Sequence, residues 1–420
     1  MSVLVLGLSH RTAPLDLLER MTIPENRQTK ALADLAARHF VSEAALLSTC
    51  HRVEVYAVAE RFHGAVADIR HFLSELAYVP PEDFSDHLYV YHDDAAVSHL
   101  FGVAAGLDSV VVGESQILGQ VRAAWERARA EGVAGQRLSA LFRSALRVGR
   151  RSRSEGALTA GVTSLSQAAV ALAERRLGSL EGRRVVVLGA GEMGEGIATD
   201  VAQTASGTEL VVANRTGARA DRLAARLGGR AVAIEALPAA LVDADVLLTS
   251  TGASSTVVTA AELEDVVQGR GERPLLVIDL GMPRDVDPGV GELAGVTLLD
   301  LGDVASFVGA GSGRDVGELA RVREIVADEV GRFLHETSAR RAAPTVTALR
   351  RRAEQLRAAE VARYRSRLDS LDDDEWRRVE ALTKGILAKL LHDPTVRLKD
   401  AAGSARGERL AGALQELFDL

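Results

Sequence analysis

The stretch GRRVVVLGAGEMGEGIA, residues 182–198, sets an apolar run against a glycine-rich turn and then a helix-compatible run. Val185 to Leu188 read as a buried strand, and Gly189, Gly191 and Gly194 fit G-x-G-x-x-G. In that pattern the first glycine makes the tight turn, the second lets a pyrophosphate approach the backbone, and the third allows close helix packing. Glycine-rich turns are common by themselves. The strand before and the helix after make Gly189, Ala190, Gly191, Glu192, Met193 and Gly194 a candidate dinucleotide site. About 20 residues on, where an NAD-binding chain carries Asp or Glu for the ribose 2′-hydroxyl, this chain reads VVANRT, residues 211–216. Asn214, Arg215 and Thr216 offer donors and a positive charge, which suit the 2′-phosphate of NADPH.

Around that turn, apolar strands alternate with helical segments: ELVVANR (209–215), DVLLTSTG (245–252), PLLVIDLG (274–281) and VTLLDL (296–301). Such alternation predicts a parallel sheet with crossover helices, a Rossmann-type domain ending at VGAGSGRD, residues 308–315. Upstream, residues 3–8 and the two runs beside Cys50 read as strands, while QTKALADLAARHF (28–40) and AVADIRHFLSELA (65–77) have helical spacing. Downstream the periodicity is helical to the end, with expected breaks at Pro344 and at the acidic run 372–375, and a mobile joint at AAGSARGERLAG (401–412). The fold class is therefore multidomain α/β and α+β. An N-terminal α+β domain spans 1–155, the Rossmann-type NADP domain 156–312, and an all-α C-terminal domain 313–420; 420 residues exceed what one core sustains.

Composition narrows the function. Aromatics at 4% argue against a base-stacking surface, and a net charge of -8 gives no global attraction to nucleic acid. A nucleic-acid partner would need a local basic patch, for which RLSALFRSALRVGRRSRSE (137–155) is the candidate: Arg143, Arg147 and Arg150 share one helical face beside Arg137, Arg151 and Arg153. No run of 18 uncharged apolar residues occurs, and the N-terminus reads as a strand, so no membrane partner and a cytoplasmic location are expected.

The one cysteine lies in LLSTCHRVEVYAV, residues 46–58. A single thiol excludes an internal disulfide and multi-thiol metal sites, leaving a buried small hydrophobe or a reactive thiol. A nicotinamide site needs a partner carbon, and a thioester accepts hydride more readily than an oxygen ester, which favours a thiol over a hydroxyl. Arg52 would lower the thiol pKa, sharing a face with Cys50 if the segment is a strand. His51 and His99 are candidates for polarising a carbonyl or moving a proton. In GLDSVVVGESQILGQ (106–120), Ser109, Glu114, Ser115, Gln116 and Gln120 suit either a polar, zwitterionic substrate or helix capping.

Together, GLSHRTAP (7–14), LLSTCHRVEVY, HLFGVAAGLDSVVVGESQILGQVR (99–122), VVVLGAGEMG, VVANRT, IDLGMPRDVDP (278–288) and LTKGILAKLLHDPTVRLKDAA (382–402) resemble the glutamyl-tRNA reductases along nearly the whole chain. That family makes glutamate-1-semialdehyde for tetrapyrrole synthesis. The resemblance implies three domains, catalytic, NADP-binding and dimerising, in a V-shaped homodimer joined along a long helix, for which RDVGELARVREIVADEVGRFLHETSARR (314–341) is the candidate. It implies Cys50 as nucleophile, with Thr49, His51 and Arg52 lining the glutamyl pocket and Arg52 pairing the substrate carboxylate. Ser109, Glu114, Ser115, Gln116 and Gln120 would contact the substrate end, His99 would matter for activity, and residues 189–194 would bind NADPH. Two positions depart from the family pattern: His51 stands where asparagine is usual, placing a titratable group beside the thiol, and Ser115 where proline is usual. Glutamyl-tRNA is the expected substrate, and the aminotransferase that consumes the reactive aldehyde is an expected partner. The alternatives are a cysteine-dependent reductase of another activated acid, or a non-catalytic tRNA or pathway sensor.

Overall fold

The structure, a computed structural model, describes residues 2–114, 116–155, 164–204, 207–253, 255–311, 316–365, 367, 371–401 and 405–420. It divides into two compact units, Met1–Val326 and Ala327–Leu420. The boundaries expected at 155/156 and 312/313 fall at or within residues outside the described set.

The first unit begins with β1 (Ser2–Ser9), α1 (Leu15–Met21) and α2 (Glu25–Ala36). The hairpin of β2 (Val41–Ser48) and β3 (Arg52–Ala59) follows, then α3 (Phe62–Ala77), the single turn α4 (Pro81–Phe84) and β4 (Tyr89–His92). These strands form an antiparallel sheet of order β2-β3-β1-β4. The edge strand β4 was not foreseen: it is four residues long, three of them exposed, and carries no alternation. All eight residues of β3 are buried, so the sheet is covered on both faces. Besides α2 and α3, helices α5 (Asp94–Ala104), α6 (Gln116–Ala130) and α7 (Gln136–Glu155) cover it. On α7, Arg143, Arg147 and Arg150 are exposed, whereas Arg151 pairs with Glu155 at 2.9 Å and Arg153 Nη2 donates to the Glu114 carbonyl oxygen. The basic face is thus narrower than the six arginines suggested.

Helix α8 (Leu165–Leu177) leads into β5 (Arg184–Leu188), α9 (Glu192–Thr204), β6 (Glu209–Asn214), α10 (Gly217–Leu227), β7 (Arg230–Ala233) and α11 (Leu237–Val242). Then come β8 (Val246–Thr249), α12 (Ala260–Arg270), β9 (Leu275–Asp279), β10 (Val296–Leu299) and α13 (Leu301–Gly311). The six strands are parallel in the order β10-β9-β8-β5-β6-β7. Chain order reverses between β5 and β8, so the crevice beyond their carboxyl ends is the place where a doubly wound sheet binds ligands. The period-two pattern divides the apolar residues between two cores: Val185, Val187 and Val212 on one face, Val186, Leu188 and Val211 on the other. The first core also takes in Val111, fully buried, from the segment between α5 and α6. Strand β7 was missed because its four residues are at most half-buried.

The second unit contains most of α14 (Val316–Arg365), with α15 (Asp373–Asp400) and α16 (Ala405–Phe418). The break expected at Pro344 does not occur, because α14 runs through it, as α15 does through Pro394. A proline inside a helix costs roughly 3 kcal/mol. That is offset by the packing just beyond it, where Val346, Leu349 and Ala353 bury against Leu391, Leu398 and Leu414. The acidic run is a helix start: Asp372 and Glu375 form a capping box on α15. The expected joint is largely the helix α16, with residues 402–404 outside the described set. Leu382, Ile386 and Leu390, spaced by four along α15, form a stripe exposed by 63%, 56% and 65%.

Among the described residues, no helix is long and apolar enough to cross a membrane, and no cluster of His, Cys, Asp and Glu is placed to hold a metal ion.

Candidate active site

Three residues, Thr49 to His51, close the β2–β3 hairpin. Thr49 N donates to the Arg52 carbonyl at 2.9 Å, His51 N donates to Thr49 Oγ1 at 3.1 Å, and His10 N, just past β1, donates to the His51 carbonyl at 2.9 Å. Cys50 therefore sits in a turn, and the strand-face argument pairing it with Arg52 does not apply. Its Sγ lies 3.0 Å from His51 Nδ1. Burial first, and the Glu114 carboxylate second, push the thiol up to about 12, while Arg52 pulls it down by less. The expected thiolate is thus a protonated thiol at rest.

Arg52 and its partners lie on the strand beneath. Its side chain is 1% exposed; Nη1 donates to Glu54 Oε1 at 2.8 Å, and both Nη1 and Nη2 reach Asp108 Oδ2, at 3.2 and 3.1 Å. The arginine expected to hold a substrate carboxylate thus already holds two carboxylates of the chain. Glu54 is fully buried and accepts from Tyr89 and His99 on Oε1 and from Tyr56 on Oε2. Burial opposes its charge, but Arg52 and then His99 outweigh burial and hold the carboxyl well below its usual range. His99 Nε2 is 2.8 Å from Glu54 Oε1, and its ring lies against Tyr89 and Tyr91. Glu54, Tyr56, Tyr89 and Asp108 were not singled out from the sequence. The signal for two of them was present, since Arg52, Glu54 and Tyr56 alternate along β3 at period two, a polar face on a buried strand.

The segment between α5 and α6 crosses above the turn. Asp108 clamps it to Arg52, and Arg11 holds the other Asp108 oxygen at 2.6 Å. Thr49, Ser109 and Glu114 are each at most 9% exposed, while Gln116 and Gln120, one turn apart on α6, are half-buried; Ser115 lies outside the described residues. Burial raises Glu114 to about 7, with Glu192 adding repulsion. Glu114 is therefore within electrostatic reach of both the thiol and Glu192, the first residue of α9.

At the nucleotide turn, Gly189 has φ +117°, and a Cβ there would meet the Ser250 carbonyl oxygen at 2.1 Å. A Cβ on Gly194 would meet the Gly189 carbonyl oxygen at 2.2 Å, whereas one on Gly191 would point into open space. Two glycines are thus demanded by packing, and the third leaves room for a pyrophosphate at the α9 N-terminus, so the residues fit a dinucleotide. Ala190 and Met193 are half-buried, and Gly191 and Glu192 exposed. Asn214 is structural in part: its Oδ1 accepts from Ala190 N and its Nδ2 donates to the Thr216 carbonyl. Arg215 and Thr216 are exposed. Sequence reading missed Arg219, Arg222 and Arg226 on α10, which with Ala190 and Glu195 line a cleft of about 320 Å³. Their spacing of three and four from Arg215 onward was the available signal.

His10 and His51 carry a pH consequence. Burial, then neighbouring charge, lowers His10 to about 4 and His51 to about 3, from an ordinary 6.5. Below about pH 6.5 the unfolded chain takes up protons that the folded chain refuses until about pH 4 at His10 and about pH 3 at His51, so stability falls as pH falls through that window. Glu114, raised to about 7, contributes with the opposite sign. The expected outcome in thermal melts from pH 7 to 4 is a smaller loss of stability in the His10→Asn, His51→Asn double variant than in the parent chain. Equal slopes would show that the two rings are not buried neutral.

The geometry can be set beside known proteins. Residues 6–156 match the family model for the glutamyl-tRNA(Glu) reductase N-terminal domain, residues 171–307 that for shikimate/quinate 5-dehydrogenase, and residues 321–420 that for the glutamyl-tRNA(Glu) reductase dimerisation domain. The glutamyl-tRNA reductase of Frankia alni is 44% identical, with 100% of this chain and 96% of that protein covered. That of Kineococcus radiotolerans is also 44% identical, covering 100% and 94%. The solved glutamyl-tRNA reductase of Methanopyrus kandleri is 31% identical, covers 100% of this chain and 99% of its own, and superposes with a TM-score of 0.50. With two family models at its ends and relatives matched over its whole length, the chain belongs to the glutamyl-tRNA reductase family.

Proposed function

We propose that this chain's reaction, the NADPH-dependent reduction of glutamyl-tRNA to glutamate-1-semialdehyde that opens tetrapyrrole synthesis, runs through a thioester on Cys50. The observation that carries this is the position of the chain's one thiol, in a hairpin turn with a ring nitrogen at 3.0 Å and within electrostatic reach of the buried Glu114. Sγ bonds to the ester carbonyl carbon, the carbon–oxygen bond to tRNA breaks, and a glutamyl thioester remains. When bound, NADPH supplies the hydride that takes the thioester to the aldehyde. Gly189, Ala190, Gly191, Glu192, Met193 and Gly194 hold its pyrophosphate end, and Asn214, Arg215 and Thr216 with Arg219 and Arg222 its 2′-phosphate.

Thr49, His51, Ser109, Glu114, Gln116 and Gln120 line the glutamyl end. Arg52 receives the substrate carboxylate where the Asp108 carboxylate now lies, and His99 acts by holding Glu54 and through it Arg52. The exposed Arg143, Arg147 and Arg150 meet the phosphates of tRNA. The reaction takes place in the cytoplasm, where charged tRNA is found. Because the aldehyde is reactive, it passes directly to the aminotransferase; mixed enzymes that transferred it no faster than diffusion would remove that step.

NADPH oxidation is measured with glutamyl-tRNA, uncharged tRNA and free glutamate side by side. Oxidation with glutamyl-tRNA alone, lost in Cys50→Ala, is the expected result, and full activity in that variant would overturn the thioester. Oxidation driven by another activated acid would favour a different reductase, and none with any substrate a sensor. The triple variant Arg143→Ala, Arg147→Ala, Arg150→Ala is expected to raise KM for glutamyl-tRNA, to leave kcat unchanged, and to flatten the salt dependence of binding. For the homodimer, the exposed stripe Leu382, Ile386, Leu390 is the face we assign to the partner copy. Ile386→Glu should give a monomer in light scattering, and an intact dimer would place the interface elsewhere.

A further inference from the structure

The thiol that must attack is protonated at rest, so the acylation step needs a base at Sγ. Burial and Glu114 keep the proton on sulfur, and Arg52 does not overcome them. Among the side chains gathered here, the one in hydrogen-bond contact with Sγ is His51, through Nδ1 at 3.0 Å. Its backbone is fixed on both sides, by Thr49 Oγ1 at its N–H and by His10 N at its carbonyl, and its ring meets the His10 ring edge-on at 5.8 Å. Burial, His10 and Arg52 all disfavour a charged imidazole, and the tautomer with its proton on Nε2 leaves the Nδ1 lone pair free to accept from the Sγ–H. Nε2 is buried and has no hydrogen-bond partner among the described residues.

The other charged groups around the turn are accounted for. His10 and Arg11 come from the end of β1, Arg52 and Glu54 from β3, Asp108 and Glu114 from the crossing segment, and Glu192 from α9. Arg11, Arg52, Glu54 and Asp108 are bound to one another. Glu114 is the one rival base: it acts on the sulfur through space, and no hydrogen bond joins its carboxylate to the sulfur among the described residues. His99 donates its Nε2 proton to Glu54.

We propose that His51 is the base and then the acid of the acylation step. As Sγ bonds to the ester carbonyl carbon, the Sγ proton passes to Nδ1; as the tetrahedral adduct collapses, the carbon–oxygen bond breaks and that proton goes to the departing ribose oxygen of tRNA. One S–H and one C–O bond are exchanged for one C–S and one O–H bond, with no change of oxidation state. Burial works against a charged imidazole at rest, so the transfer is concerted with carbon–sulfur bond formation, when the sulfur proton is most acidic, and the imidazolium passes the proton straight on to the leaving oxygen. The inference rests on Cys50 as the nucleophile and gives His51 a task beyond lining the substrate pocket.

The test is single-turnover acylation without NADPH. Full-length protein is mixed with glutamyl-tRNA carrying labelled glutamate, quenched in acid, and scored for protein-bound label from pH 6 to 9 in H₂O and D₂O. His51→Asn preserves size and hydrogen bonding but cannot take a proton. It is expected to become labelled about 10²- to 10⁴-fold more slowly at pH 7. Its rate should rise with pH across the whole range, without the solvent isotope effect of the parent chain, and added imidazole should restore rate to His51→Ala. A His51→Asn profile and isotope effect equal to the parent's would overturn the proposal, as would their loss in Glu114→Gln instead. Cys50→Ala separates the two levels. Label retained in that variant sinks the thioester itself, whereas label lost there but formed normally in His51→Asn sinks only the role of His51.

Discussion

The buried pair of Arg52 and Glu54 is the contact on which the site depends. Both side chains are at most 1% exposed, in surroundings where an unpaired charge would cost several kcal/mol, and removing one partner from such a pair costs about 3–5 kcal/mol. The pair is stable because neither member stands alone. Glu54 collects Tyr56, Tyr89 and His99, and Arg52 takes in Asp108 as well. Four separate pieces of chain, β3, β4, α5 and the segment after α5, are thereby tied to one buried charge centre, and the hairpin turn bearing Cys50 hangs from its upper edge.

That arrangement explains why burial and reactivity coexist. A thiol in an open loop would ionise more readily but would be exposed to water, and the thioester made on it would hydrolyse. Here the thiol is half-buried and its acidity suppressed, while proton acceptance is assigned to a neighbour in direct contact with sulfur. The same enclosure, by keeping His10 and His51 neutral, ties the stability of the turn to pH.

Much of this was legible in the residues. The strand VVVL, the three glycines and the alternation after them were enough for a parallel sheet, because period-two burial on both faces leaves near-continuous apolar runs. Cys50 and the 106–120 segment stood out by residue type. What was not legible came from contacts between distant segments. Nothing local indicates that Asp108 closes onto Arg52, 56 positions away, or that Tyr89 turns its hydroxyl to Glu54. Pro344 misled because a local rule was overridden by packing further along the helix. The strands β4 and β7 escaped because four residues at a sheet edge are too few for a pattern to show.

Val111 has one more consequence. It belongs by chain position to the N-terminal domain, yet it is fully buried in one of the two cores of the Rossmann sheet, with Val110 beside it. A nucleotide-binding domain excised at residue 164 would open an apolar socket to solvent, and one transplanted from a distant dehydrogenase would offer no socket to the corner carrying Ser109 and Glu114. The two domains are therefore not separable modules, because the segment that carries the substrate side supplies part of the core beneath the cofactor side, as a key left standing in its lock.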